Sequence, residues 1–147
     1  MKTLKKIVNI KPGEGKMVLL FFLFSFFVVA MGLVAKTARD AYFLTDYDKS
    51  LLPLMFVVIA VIIAPFLVVY TKISKKIPQK TLFVMTCIIF ASTFVILQPI
   101  MTGFIIPLTY VWVEIVVAVM LIQFWTIAGE SFQPQQAKRL FGIVAGG

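Results

Sequence analysis

The hydrophobic positions of this chain neither alternate nor form a one-sided stripe. They run on. Residues 17–35, 51–70, 81–100 and 104–128 are almost wholly apolar. Each run reaches about the 20 helical residues needed to cross about 30 Å of hydrocarbon. The first three are uncharged, and the fourth carries a single charge, Glu114. A further apolar run starts at Leu140 and reaches Gly147, which is too short to span.

Helix is the state these runs predict. In lipid every backbone N–H and C=O must be satisfied within the segment or in a closed barrel, and barrel strands alternate polar and apolar residues. The unbroken run from Phe56 to Ile63 does not alternate. Pro53, Pro65 and Pro107 lie within or near the spans and are expected to free backbone carbonyls and bend helix axes. The expected fold class is all-α: a polytopic transmembrane bundle of four helices and the start of a fifth, preceded by a basic arm over residues 1–16.

Composition agrees. Of 147 residues, 61% are hydrophobic and 14% charged, against about a quarter charged in soluble domains. The net charge of +8 raises nucleic acid as a partner, but that needs a basic face on a soluble domain. Here the Lys and Arg residues sit between apolar runs, so the expected partner is a lipid bilayer and not nucleic acid. Cys87 is the only cysteine, inside an apolar run, and there is no histidine. Metal-cluster chemistry therefore has almost nothing to work with, and no cofactor is expected.

The placement of charge adds an orientation. The N-terminal arm holds Lys2, Lys5, Lys6, Lys11 and Lys16, the second connection Lys72, Lys75, Lys76 and Lys80, and the fourth Lys138 and Arg139. Alternate connections thus hold eleven of the fourteen basic residues. In the first connection Lys36, Arg39 and Lys49 are offset by Asp40, Asp46 and Asp48, and the third, residues 101–103, carries no charge. Positive-inside bias then puts the N-terminus in the cytoplasm of a multi-pass protein of the cell (inner) membrane. The first run exceeds the about 7–15 apolar residues of a signal peptide and is followed at once by Lys36, so it is expected to remain as a span.

Few residues offer chemistry. Gly13–Glu14–Gly15–Lys16 resembles the tail of a phosphate loop, but Ile10 and Met17 stand where Gly and Ser or Thr are required. Asp46 and Asp48 flank Tyr47 with no further ligands nearby and read as a solvated outer loop. Glu114 is different. It lies about ten residues into its helix, about 15 Å deep and near the bilayer centre. A charge there is penalised by about 2.5–3.5 kcal/mol and marks a functional site by default, the alternative being a protonated acid bonded to a neighbouring helix. Helical offsets put Tyr110, Ala118, Leu121 and Trp125 on roughly its face and Gln123 on the opposite one. Lys36, Arg39 and Asp40 cluster at the outer end of the first span, where Lys36 and Asp40 are spaced to pair on one helix face. Snorkelling accounts for basic residues there, although their position opposes the orientation rule. Gly142 and Gly146 form a small-xxx-small pair suited to close helix packing.

Two patches together resemble the nucleotide translocase family, the ATP/ADP exchangers of plastids and intracellular bacteria, which is related to the major facilitator superfamily. One patch is Arg39–Asp40–Ala41–Tyr42–Phe43–Leu44. The other comprises Tyr110, Glu114, Phe124–Trp125, Ala128, Ala137–Lys138–Arg139, Phe141 and Gly142. The chain departs from the family at Arg39, where lysine is usual, at Gly129 and at Gln136. The resemblance implies an alternating-access antiporter of about twelve helices. This chain would supply its N-terminal part and would need the remaining helices of the full-length transporter. The expected function is exchange of nucleotides, with Lys36, Arg39, Glu114, Tyr110 and Trp125 serving substrate binding or coupling. Basic side chains would hold phosphates and an aromatic would stack a base. Alternatives are a facilitator-type carrier for another phosphorylated or anionic solute, with Glu114 binding a proton, or a non-transporting four-helix membrane protein. No nucleophile–base pair or metal set suggests an enzyme.

The loop charges make the orientation testable. A cysteine introduced at Lys75 should be shielded from an impermeant thiol reagent in intact cells, whereas one at Asp46 should react. The reverse labelling would invert the topology.

Overall fold

A computed structural model of the chain describes residues 14–133, 140, 144 and 145. Four long helices account for most of it: α1 (Gly15–Asp46), α2 (Leu52–Ser74), α3 (Gln79–Leu97) and α4 (Ile105–Ser131). Short 3-10 turns at Lys49–Leu51 and Gln98–Ile100 extend α2 and α3 at one end of the bundle. Among the described residues there is no strand, and all four helices are long and apolar enough to cross a membrane. The two patterned glycines Gly142 and Gly146, the connection residues Lys138 and Arg139, and most of the basic arm lie outside the described residues. Of the fifth apolar run, Leu140 and Val144 are described, and both are buried against Val18, Phe124 and Ala128.

α4 is the hub. In its most apolar stretch 56% of the residues are buried, against 22% in α1, 11% for α2 with its 3-10 turn and 6% for α3 with its own. The other three helices each pack on α4. α1 does so through a stripe of Val18, Ser25, Val28, Gly32, Ala35, Arg39 and Phe43. Its steps of three, four and seven are those of a helix–helix seam. The pairing runs antiparallel: Val18 meets Phe124 and Ala128, Val28 meets Met120, and Ala35 meets Val113 and Val117.

The first helix differs most from expectation. It was expected to stop near residue 35, and it continues to Asp46, 32 residues in all. At about 1.5 Å per residue that is about 48 Å, longer than the hydrocarbon core. Lys36, Arg39 and Asp40 therefore sit on the helix and not in a loop. They can do so because α4 supplies a charge partner, as described below. The second, third and fourth helices match their apolar runs to within a few residues. Pro53 falls in the first turn of α2, where no N–H is needed, while Pro65 lies in its interior and leaves the Val61 carbonyl without its helical donor.

Two local features set the spacing at the seam and the turn. Gly103 has φ +50°, a left-handed conformation suited to glycine, and closes the short connection from α3 to α4. Tyr47 Oη donates to the Gly103 carbonyl at 3.0 Å and joins the α1 end to that turn. Gly32 lets α1 approach α4 closely, because a Cβ there would stand 3.2 Å from Val117 Cγ1. Gly32→Leu should therefore wedge the seam open and destabilise the bundle by about 1–3 kcal/mol, read as a lower melting temperature in detergent. Adding Val117→Ala should recover part of that loss. An unchanged melting temperature in Gly32→Leu would show that the seam tolerates separation.

Candidate functional site

Glu114 is the tenth residue of α4, about 15 Å along the helix. It faces the α1 seam, and each of its carboxylate oxygens receives a cation from α1. Lys36 Nζ donates to Oε1 at 2.7 Å, and Arg39 Nη1 donates to Oε2 at 2.5 Å. The two basic residues are three apart and so share one face of α1. The helix, not a loop, holds both against one acid.

Arg39 is the more deeply engaged of the two. Its side chain is 6% exposed, against 37% for Lys36. Arg39 Nη1 also donates to the Tyr110 carbonyl at 3.3 Å, and Nε donates to Asp40 Oδ1 at 3.2 Å. Its guanidinium carbon lies 4.1 Å from the Tyr110 ring centroid, a cation–π arrangement. Phe43 packs beside that ring at 5.1 Å and stacks on Tyr47 at 5.0 Å, which shields the arginine from the bundle end. The pairing of Lys36 with Asp40 that their spacing allows does not form. Lys36 turns to Glu114, and Asp40 takes the neighbouring arginine. A carboxylate inside the span needs counter-charge more than a half-exposed one does.

Lys36 has three N–H donors, of which Glu114 takes one. Its side chain stands on the rim of an open crevice of about 130 Å³ between α1 and α4, lined also by Gly32, Leu33, Val117 and Leu121. The two cations thus differ in kind. Arg39 is built into the helix interface, and Lys36 presents charge outward.

The remaining residues separate clearly. Tyr110 joins the cluster but is 1% exposed, so its ring is occupied by Arg39 and Phe43. Trp125 does not join it. It lies eleven residues further along α4, about 16 Å away, set edge-on to Phe124 at 5.1 Å and 41% exposed. Gln123 faces away from Glu114, as its offset implies, and is fully buried against α3, where Nε2 donates to Thr86 Oγ1 at 2.7 Å. Phe43 was not singled out as a site residue from sequence. The available signal was its spacing, four after Arg39 and seven after Lys36 on the same stripe. At the bundle end, Asp48 caps the 3-10 turn, and the Ser50 N–H holds its carboxyl below the usual carboxylate range. No group of three or more metal-binding side chains occurs among the described residues.

The asymmetry between the cations predicts unequal stability effects. Arg39→Gln leaves Glu114 short of its buried partner and should cost about 3 kcal/mol or more. Lys36→Gln should cost distinctly less, because its partner keeps the arginine. Thermal unfolding of both variants in detergent checks this, and equal melting temperatures would contradict it. No protein-family profile, curated protein or solved structure matches this chain.

Proposed function

We propose that this chain is the N-terminal part of a secondary transporter that exchanges nucleotides, or a closely similar phosphorylated anion, across a membrane. In this reading the four helices open a major-facilitator-like bundle with the N-terminus in the cytoplasm. One observation carries the proposal: a carboxylate inside one span is shared by two cations from another, and one of those cations remains partly exposed.

The arrangement suits anion exchange for a physical reason. Charges within a span persist only when paired or hydrated. An incoming phosphate would compete with Glu114 for Lys36, while Arg39 keeps the acid paired. Occupancy would then loosen one of the two bridges between α1 and α4 and leave the other as a pivot. Differential contact of this kind is what lets a ligand shift a conformational equilibrium. Arg39, buried as it is, would act in this scheme on Glu114 and not on the substrate directly. For a nucleotide, the exposed Trp125 offers a ring for a base about 16 Å further along α4.

The test is exchange of labelled nucleotide by cells producing the full-length transporter. Lys36→Gln should raise the half-saturation concentration about tenfold or more, the scale of one lost charge-assisted hydrogen bond. Glu114→Gln should sharply reduce maximal exchange per molecule of transporter in the membrane. Glu114→Asp should retain part of it. Normal kinetics in both glutamine variants would reduce the cluster to a structural ion pair and end this reading.

A further inference from the structure

The turn between α2 and α3 is the most basic described segment, with Lys72, Lys75, Lys76 and Lys80. None of these lysines pairs with a carboxylate among the described residues. Lys75 and Lys80 line a concave pocket of about 560 Å³, closed on its far side by Glu130 and Ser131 at the end of α4. Ile77 lines this pocket and also a second one, about 280 Å³ in volume. The second pocket is a largely apolar groove running into the membrane-spanning region between α2 and α3, past Tyr70, Ile73, Met85 and Ile89. A basic pocket at a bundle end and an apolar groove along the helices thus share Ile77 as a common wall.

We propose that this pair of pockets binds one anionic phospholipid, its phosphodiester at Lys75 and Lys80 and an acyl chain in the groove. Basic pockets between transmembrane helices are suited to lipid headgroups. The adjacency of the two pockets at Ile77 favours a lipid over a free anion, which would leave the groove empty. Charge balance selects among lipids: two lysines, one glutamate and one phosphodiester sum to zero, so a headgroup with hydroxyls and no ammonium fits best. Those hydroxyls can donate to Glu130. This inference needs only that the four helices span a bilayer, and it stands apart from the transport reading.

Native mass spectrometry of the purified chain in detergent tests it. Phosphatidylglycerol should be retained in preference to phosphatidylcholine of the same chains. Removal of Lys75 and Lys80 together, as Lys75→Gln with Lys80→Gln, should weaken retention by about fivefold for each lysine. Lys72→Gln with Lys76→Gln removes equal charge from the same turn outside the pocket and should change little. Met85→Trp, which fills the groove and leaves every lysine in place, should weaken retention as well. Circular dichroism confirms that each variant remains helical. Equal losses in the two lysine pairs would reduce the effect to diffuse surface charge. Displacement of the lipid by inorganic phosphate alone would make this a free-anion site. Either result, or equal retention of phosphatidylcholine, overturns the proposal.

Discussion

A carboxylate inside a membrane span must be given counter-charge, and most of what is specific in this bundle follows from how Glu114 obtains it. Apolar helices in lipid gain little from touching one another, since the surrounding tails are as apolar as leucine. Register between two such helices is weakly set by hydrophobic contact alone. The bridges from Lys36 and Arg39 to Glu114 set it here. With residue 39 fixed beside residues 110 and 114, Ala35 falls against Val113 and Val117, and Gly32 falls where Val117 comes closest. The same bridges explain the length of α1. A helix can carry two cations past its apolar run when both are met by an acid of a partner helix.

Much of this was legible in the sequence, for a reason that also marks the limit. The spans could be located because bilayer thickness converts directly into run length, and Glu114 stood out because it is alone in such a run. The end of α1 was not legible. Its continuation depends on an acid 75 residues away, and local pattern points instead to a loop. Spacing allows Lys36 to pair with Asp40, yet spacing reports only what can meet on one helix. Trp125 shows the complementary limit. A helical offset places it on the side of Glu114 but says nothing of the about 16 Å of axis between them. Gln123 was placed correctly because facing away is a statement about angle alone.

Two polar nodes on α4 stand half a helical turn apart in angle and nine residues apart along it. One is Glu114, facing α1. The other is Gln123, which donates to Thr86 on α3, with Tyr70 of α2 brought beside the same amide. The first and third helices are therefore each tied to the hub by a polar attachment, and the two attachments differ in strength. The α1 node is ionic and doubled. The Gln123 node rests on one neutral bond at 2.7 Å and a longer one at 3.5 Å to the Leu82 carbonyl, and its own Oε1 has no hydrogen-bond partner.

This difference orders the ways the bundle can deform. A neutral interhelical hydrogen bond in a membrane is worth about 0.6 kcal/mol on average. Parting a buried ion pair without replacement costs several times more. Separation of α2 and α3 from the hub is then the soft motion, and it is also the motion that would widen the groove between them. Movement of α1 is stiff unless another anion takes the place of Glu114 at Lys36. A bundle built this way is flexible where only lipid must be rearranged, and resists where charge must be exchanged. The stiff joint is therefore the one at which competition for Lys36 would have leverage over conformation.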